Sequence, residues 1–466
     1  MIKIQTGSVL LLMAAILLAN VTYSLAQTEI RDWNDLHDIR DNLNGSYILM
    51  NDLDGDSPGY ATYNSDEGWL PIGTADTPFT GTFDGGGYTI SGLTINRNTP
   101  DNGLFGYAVD ATVQNVGVIN ADFNVSGSHT GVLIGRVFDS MVQNTYSTGV
   151  LVQDNQANVN HGGLVGRFHG GRLIKSWSSV EVTTLGRFVG GLVGTITSTD
   201  DGPAIVEETF ATGNVTCISD EGTISDYRWV GGLAGQFGGS SIIRNSYATG
   251  AVIAHSHVGG LVGYHWRGSR IENSYSVGEV TGESDAGGLV GHRDPDQGEF
   301  IGIVVNSYWN SETGGMAEGV GYGKTEGVYA RTTDEMKEEG TYTDWDFQFT
   351  WGFDEEVNDG YPIFLYQVPT SSELAAEVPR DLTLSQNYPN PFNPSTVISY
   401  EITAQQHVRL NVYDVTGRLI TVLVDQQQAP GAYQVTWDAG QLASGVYIYR
   451  LEAGGQILTR NMTFVK

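Results

Sequence analysis

A five-residue glycine block returns along the middle of this chain at nearly fixed spacing. Such self-similarity confines the chain to a repeat architecture. Gly-Gly-Leu-Val-Gly occurs at 162–166, 190–194, 259–263 and 287–291, with variants at 102–106, 131–135 and 231–235. The closing glycines are Gly106, Gly135, Gly166, Gly194, Gly235, Gly263 and Gly291, spaced by 29, 31, 28, 41, 28 and 28 residues. One unit is thus about 28 residues, and the fourth interval carries an insertion near 197–228. Gly totals 62 of 466 residues, close to twice the usual share.

A second block lies between the glycine blocks. Asn245-Ser246-Tyr247-Ala248-Thr249-Gly250 is its clearest copy, and others begin at Asn144, Lys175, Glu208, Asn273 and Asn306. Each places an aromatic at one phase: Tyr146, Trp177, Phe210, Tyr247, Tyr275 and Tyr308. Between Gly, Asn, Ser and Asp the unit reads as short strands, and 80–310 has no helical periodicity. These features predict an all-β fold, a parallel β-solenoid of the right-handed β-helix type with about three short strands per coil. Stacked coils bury a core that no single unit could bury. They also predict an Asn ladder and an aromatic ladder, with the recurring glycines serving corners of positive φ. A β-propeller blade needs about 40–50 residues, too many for this repeat.

The ends of a stack need caps. Residues 27–99 read as the first, with a short helix through Trp33, Leu36, Ile39 and Leu43 after Asp32 as N-cap, then strands at 46–50 and 79–95. The repeats fill 100–329. Residues 330–366 read as the second cap, with Thr333 capping a helical turn and Trp345, Phe347, Trp351, Tyr361 and Pro362 as an aromatic plug. Residues 367–381 read as a linker. In 382–466 seven short antiparallel strands predict a β-sandwich.

The first 26 residues read as a signal peptide: Lys3, an apolar run from Val9 to Leu18, then Ser24 and Ala26 before a cut at Gln27. No later stretch is long and apolar enough to span a bilayer once the signal is removed. Acids outnumber Lys and Arg by 53 to 23, a formal charge of −30 that repels nucleic acid. The single cysteine, Cys217, excludes an intramolecular disulfide and reads as a small buried side chain.

Blocks such as Gly259-Gly260-Leu261-Val262-Gly263 resemble the GLUG family, found in bacterial surface proteins, including the non-catalytic part of IgA-peptidase-like proteins. The tail resembles the type A sorting domain of the type IX secretion system. The resemblance rests on Asn387-Tyr388-Pro389-Asn390-Pro391-Phe392-Asn393-Pro394, on Gly417-Arg418, on Gly445 and Tyr447, and on the terminal Lys466. It implies export to the periplasm, then handling of 382–466 by the type IX machinery and delivery to the surface or medium.

Candidate chemistry is sparse. Asp52, Asp54 and Asp56 alternate as in a calcium loop, although position twelve, where a bidentate Glu would stand, is Tyr63. No other cofactor is expected. His255 and His257 share a strand face as a metal pair with no third ligand evident in the sequence. Glu207-Glu208 sits where other units have Arg244-Asn245 or Glu272-Asn273, so no carboxylate pair recurs for glycoside hydrolysis. After the glycine blocks stand Arg167-Phe168-His169, Gln236-Phe237, Tyr264-His265-Trp266-Arg267 and His292-Arg293. Stacking would align Arg167, His169, Tyr264, Trp266, Arg267, His292 and Arg293 in a strip suited to sugar rings. The competing reading turns alternate members such as Phe168, Phe237 and His265 into the core and leaves the outward half an ordinary strand face. The sequence therefore favours a non-enzymatic surface protein binding a glycan or a host or matrix ligand. A polysaccharide-degrading β-helix enzyme and an inert spacer are the competing readings.

Overall fold

The computed structural model describes residues 27–153, 159–217, 228–294, 302–367, 383–384, 386–387, 389–402, 406–428, 431–440, 442–453 and 456–466. The signal segment and nearly all of the linker lie outside them. The chain forms two compact units, ending and beginning at Leu365 and Tyr366.

The first unit is the parallel solenoid. One sheet stacks Phe105–Val109, Ile134–Phe138, Val165–His169, Val193–Thr197, Ala234–Phe237, Val262–His265, Val290–Arg293 and Val320–Tyr322. A second stacks Asp101–Asn102, His129–Gly131, Asn160–Gly162, Phe188–Gly190, Trp229–Gly231, Ser256–Gly259 and Ser284–Gly287. The remaining solenoid strands form a third sheet, and Trp351–Gly352 pairs antiparallel with Ile363–Phe364 apart from it. A coil carries more strands than the three expected: Ile242–Ala248, Val252–Ala254, Ser256–Gly259 and Val262–His265 make one turn.

The glycine block sits at the corner joining the second sheet to the first, and each position has its own reason. Leu104, Leu133, Leu164, Leu192, Leu233, Leu261 and Leu289 form one fully buried column. Each such side chain stabilises the stack by about 1.5–3 kcal/mol. Before four of these leucines, Gly163, Gly191, Gly232 and Gly260 each face the carbonyl of the equivalent glycine one coil on. A Cβ at Gly232 would overlap the Gly260 carbonyl oxygen, and a Cβ at Gly260 that of Gly288. The closing glycines press on backbone too: a Cβ on Gly235 or Gly263 would collide with the amide nitrogen of Val189 or Val230. None of these glycines has positive φ, so the corner expectation was wrong in its cause. They are there because backbones approach closely.

Positive φ belongs instead to the second block. Asn115, Asn144, Lys175, Glu208, Asn245, Asn273 and Asn306 all lie at φ between 44° and 54°. Asn tolerates this region better than most L-residues, which explains its recurrence. The next residue turns inward. Ser246 and Ser274 are fully buried, and each hydroxyl donates across the kink to the carbonyl of Arg244 or Glu272. The coils are tied in the same way: Ser274 Oγ accepts from the Ser246 amide, and Ser307 Oγ from the Ser274 amide one coil further on. The residue after that turns outward and stacks: Tyr146 on Trp177 at 4.6 Å, Phe210 on Tyr247 at 4.8 Å, Tyr247 on Tyr275 at 4.9 Å, all within 10° of parallel. Among the described residues the Asn ladder is shorter than expected, with a link from Asn144 to Asn115 at 3.0 Å.

Lys175 and Glu208 occupy this left-handed position without the tolerance of Asn. Their ion pair, 3.6 Å and partly exposed, contributes less than about 1 kcal/mol. Burial also raises the Glu208 carboxyl above its ordinary value. Glu208→Asn should therefore stabilise the unit by roughly 0.5–1 kcal/mol. A thermal melt would show this as a Tm increase; an unchanged or lower Tm would contradict the backbone argument.

At the start, Asp32 caps the helix Trp33–Asp38 by accepting from the amides of Asn34 and Asp35, and Trp33 and Leu36 are buried as expected. The strand expected over 79–95 is broken into Thr82–Asp84, Thr89–Ser91 and Thr94–Ile95. Near the end, Thr332 rather than Thr333 accepts from the Glu335 amide to start the turn Glu335–Lys337. The aromatic segment beyond it lies along the flank of the aromatic column. Phe364 packs on Phe210 and Tyr247, Trp351 on Tyr247 and Tyr275, and Trp345 on Tyr275 and Tyr308. Cys217 is buried, its thiol pushed up by burial.

The second unit is antiparallel. Thr383–Leu384, Ser395–Ile402 and Gly431–Asp438 form one sheet. Gln406–Asp414, Leu419–Gln428, Gly445–Ala453 and Gln456–Phe464 form the other. All seven expected strands are present, and both sheets contribute to one core including Ile398, Tyr400, Leu410, Tyr449 and Leu451.

Candidate functional site

The strands after the glycine blocks pair in register, so alternation decides what each residue can do. Tyr107, Arg136, Arg167, Thr195, Gln236, Tyr264, His292 and Tyr322 form one outward column. The next residue in each strand faces the core: Val137, Phe168, Ile196, Phe237 and His265 are all fully buried. Seven steps of about 4.8 Å make this column roughly 34 Å long.

Of the expected strip, Arg167, Tyr264 and His292 lie on this column. Trp266 and Arg267 stand beside it: Trp266 is nearly parallel to Tyr264 at 6.4 Å, and Arg267 lies 4.7 Å over the indole. Arg293 does not belong. It is 4% exposed, and its guanidinium donates to the carbonyls of Gly302, Lys324 and Glu326, so it holds backbone together inside the coil. His169 is also covered, its ring parallel to Phe138 at 4.6 Å. Burial depresses the imidazoles of His161, His169 and His265 to about 3, which keeps these rings neutral.

A neighbouring column on the second sheet completes the surface. His129, Asn160, Phe188 and Trp229 align, and each stands two residues before the first glycine of its block, as do His257 and Asp285. That phase is readable in the sequence, two residues ahead of each glycine block. The two columns meet as a seam. At one end Asp101 pairs with Arg136 at 2.7 Å and with His129 at 3.1 Å, and Arg136 lies 4.3 Å over Tyr107. In the middle Trp229 stacks on Tyr264 at 4.7 Å, with Arg187 4.6 Å over the Trp229 ring. At the other end Tyr264 donates to Asp294 at 2.8 Å, and His292 stacks on Tyr322 at 4.7 Å. Burial first, then the Asp294 bond, raises the Tyr264 hydroxyl far above its ordinary value.

The two histidines read as a pair do not share a strand face: His255 lies at the bend between Val252–Ala254 and Ser256–Gly259, and only His257 is in the strand. His255 faces Glu283 at 3.3 Å, whereas His257 faces Asp285 at 3.3 Å and lies 5.0 Å from the His292 ring. The calcium reading gains no support. Asp52 accepts from the amide and hydroxyl of Thr89, and Asp54 accepts from Asp56 and Ser57 within its own turn. Asp56 is exposed. Glu207 is held between Arg172 at 3.3 Å and Arg244 at 2.7 Å, a paired surface carboxylate.

In the second unit the expected sorting residues divide into two kinds. Asn387 is buried; its amide group donates to Pro389 O and Thr396 Oγ1, and its backbone NH donates to the Tyr449 hydroxyl. Phe392 packs on Trp437 and Phe464, the Tyr447 hydroxyl donates to Ala443 O, and Gly417 takes φ 83° in its turn. Arg418 bonds Asp414, whose carboxyl is held down to about 2 by hydrogen bonds, that of Thr416 first. These residues shape the fold. Pro389, Asn390, Pro391, Asn393, Pro394, Gly445 and Lys466 are exposed, and Tyr388 lies outside the described residues. The Phe392 backbone pairs with Thr463 and Val465, which sets the exposed Pro-Asn loop beside the C-terminus.

Comparison with known proteins agrees with both units. Residues 386–465 match the family described as the secretion system C-terminal sorting domain, and residues 254–281 match the GLUG motif. Halomucin of Haloquadratum walsbyi is 36% identical over 128 residues, which is 26% of this chain and 1% of that protein. The chain thus spans a small fraction of that relative's length. No helix among the described residues is long and apolar enough to cross a membrane. The chain carries a GLUG motif in its parallel β-solenoid and a type IX sorting domain at its C-terminal end, which marks it for export to the cell surface or the medium.

Proposed function

We propose that this exported protein is a non-enzymatic binder that lays an extended glycan along the seam between the two columns. The observation that carries the reading is the stacked Trp229–Tyr264 pair, partly exposed at mid-seam with Arg187 and Arg267 beside it. Aromatic faces stack on sugar rings and flanking guanidinium groups bond hydroxyl or carboxyl groups. The roughly 34 Å column suits an oligosaccharide better than a single sugar. A degradative reading would need free, convergent carboxylates. Asp101, Asp285 and Asp294 instead have partners in Arg136, His292 and Tyr264.

Screening the full chain against immobilised neutral and acidic oligosaccharides tests this. The expected result is binding that tightens with oligomer length and returns the ligand uncleaved. Binding to no member, or release of shortened products, would reject the reading.

A further inference from the structure

Three side chains at one end of the seam come from three different strands and meet at one point. His257 lies on Ser256–Gly259, Asp285 on Ser284–Gly287 and His292 on Val290–Arg293. Asp285 Oδ2 lies 3.3 Å from His257 Nε2 and 2.9 Å from His292 Nδ1, and one ligand atom of each residue lies within 4.8 Å of the others. We propose that His257, Asp285 and His292 bind one divalent transition-metal ion. The proposal does not depend on whether the seam binds a glycan.

The donor set fits such an ion. Two imidazoles and a carboxylate suit zinc and its neighbours, whereas calcium and magnesium prefer shells of oxygen ligands. Tetrahedral bonds of about 2.0–2.1 Å place ligand atoms roughly 3.3 Å apart, close to the two spacings observed. The surroundings also fit. His292 Nε2 faces Asp294 Oδ1 at 3.7 Å, and Asp294 is itself held by the Tyr264 hydroxyl. With this carboxylate on the Nε2 side, Nδ1 is the ring atom left facing Asp285 as the ligand atom. His257 and Asp285 both have positive φ, 51° and 48°, a region that His and Asp enter more readily than most L-residues. His257 is buried while Asp285 and His292 are partly exposed, so the ion would keep an open position toward the seam.

The test uses the full chain, stripped with chelator and titrated with zinc chloride by calorimetry. One ion per chain is expected at micromolar affinity or tighter. His257→Ala and His292→Ala should each weaken binding at least tenfold. His255→Ala, which alters a ring that faces Glu283, should leave it unchanged. Cobalt in place of zinc should give the visible absorption of a low-coordinate nitrogen and oxygen site in the unmutated chain, a readout that needs no variant to fold. Absence of zinc heat and of the cobalt bands, or equal zinc affinity in a folded His257→Ala/His292→Ala double variant, would overturn the proposal.

Discussion

Removal of residues 382–466 should leave a folded solenoid that no longer leaves the cell. The two units have separate cores, so the loss of one does not uncover the other's interior. The solenoid's strands pair with one another from Thr28 through Arg331 without help from the sandwich. The address is the part removed: the match to the sorting domain lies wholly within 386–465. Fractionation of the native host should find the truncated protein in the periplasm, protease-resistant and with an unchanged β-type circular dichroism spectrum. Truncated protein at normal levels on the surface or in the medium would contradict the assignment of export to this domain.

Gly260→Ala should be among the most damaging single substitutions in the solenoid. The added methyl would point at the Gly288 carbonyl oxygen and crowd the Ser276 side chain, whose hydroxyl donates to that same carbonyl. No rotamer change relieves a clash between Cβ and backbone, so two coils must separate locally. Overpacking of this kind costs about 3 kcal/mol or more. The cost spreads to the neighbours, because each coil is stabilised chiefly by the coils it touches. Denaturant unfolding should show the loss directly. Gly202→Ala is the control, since a Cβ there meets nothing within 4 Å. Equal midpoints for the two variants would show that the glycine column is not a packing requirement.

The parts of this fold that repeat were legible from sequence, because a repeat turns one-dimensional spacing into stacking. The Leu column, the aromatic ladder and the seven strands of the sandwich follow from period alone. The reason for the glycines did not. Gly260 and Asn245 both punctuate the unit, and propensity gave positive φ to the glycine. The structure gives it to Asn245 and keeps Gly260 for close approach. The seam was half legible. In a strand one step reverses the face, so Tyr264 outward and His265 inward force His292 outward and Arg293 inward. The alternation that turns Phe168, Phe237 and His265 inward applies equally to Arg293, which the strip had placed outward. Trp229 was missed because it precedes its glycine block, and only the second sheet brings it beside Tyr264. The meeting of His257, Asp285 and His292 depends on two neighbouring coils and on backbone twists at His257 and Asp285, which no spacing rule shows.

The central claim is that an exported solenoid works through its outer seam, and one comparison tests it most directly. The full chain and its Trp229→Ala/Tyr264→Ala variant are measured against the same panel of neutral and acidic oligosaccharides, with Tyr146→Ala, on the aromatic column of the third sheet, as control. The account predicts that the double variant keeps its fold and binds at least tenfold more weakly, while Tyr146→Ala binds like the unmutated chain. Equal binding by all three proteins, or binding by none, would contradict it.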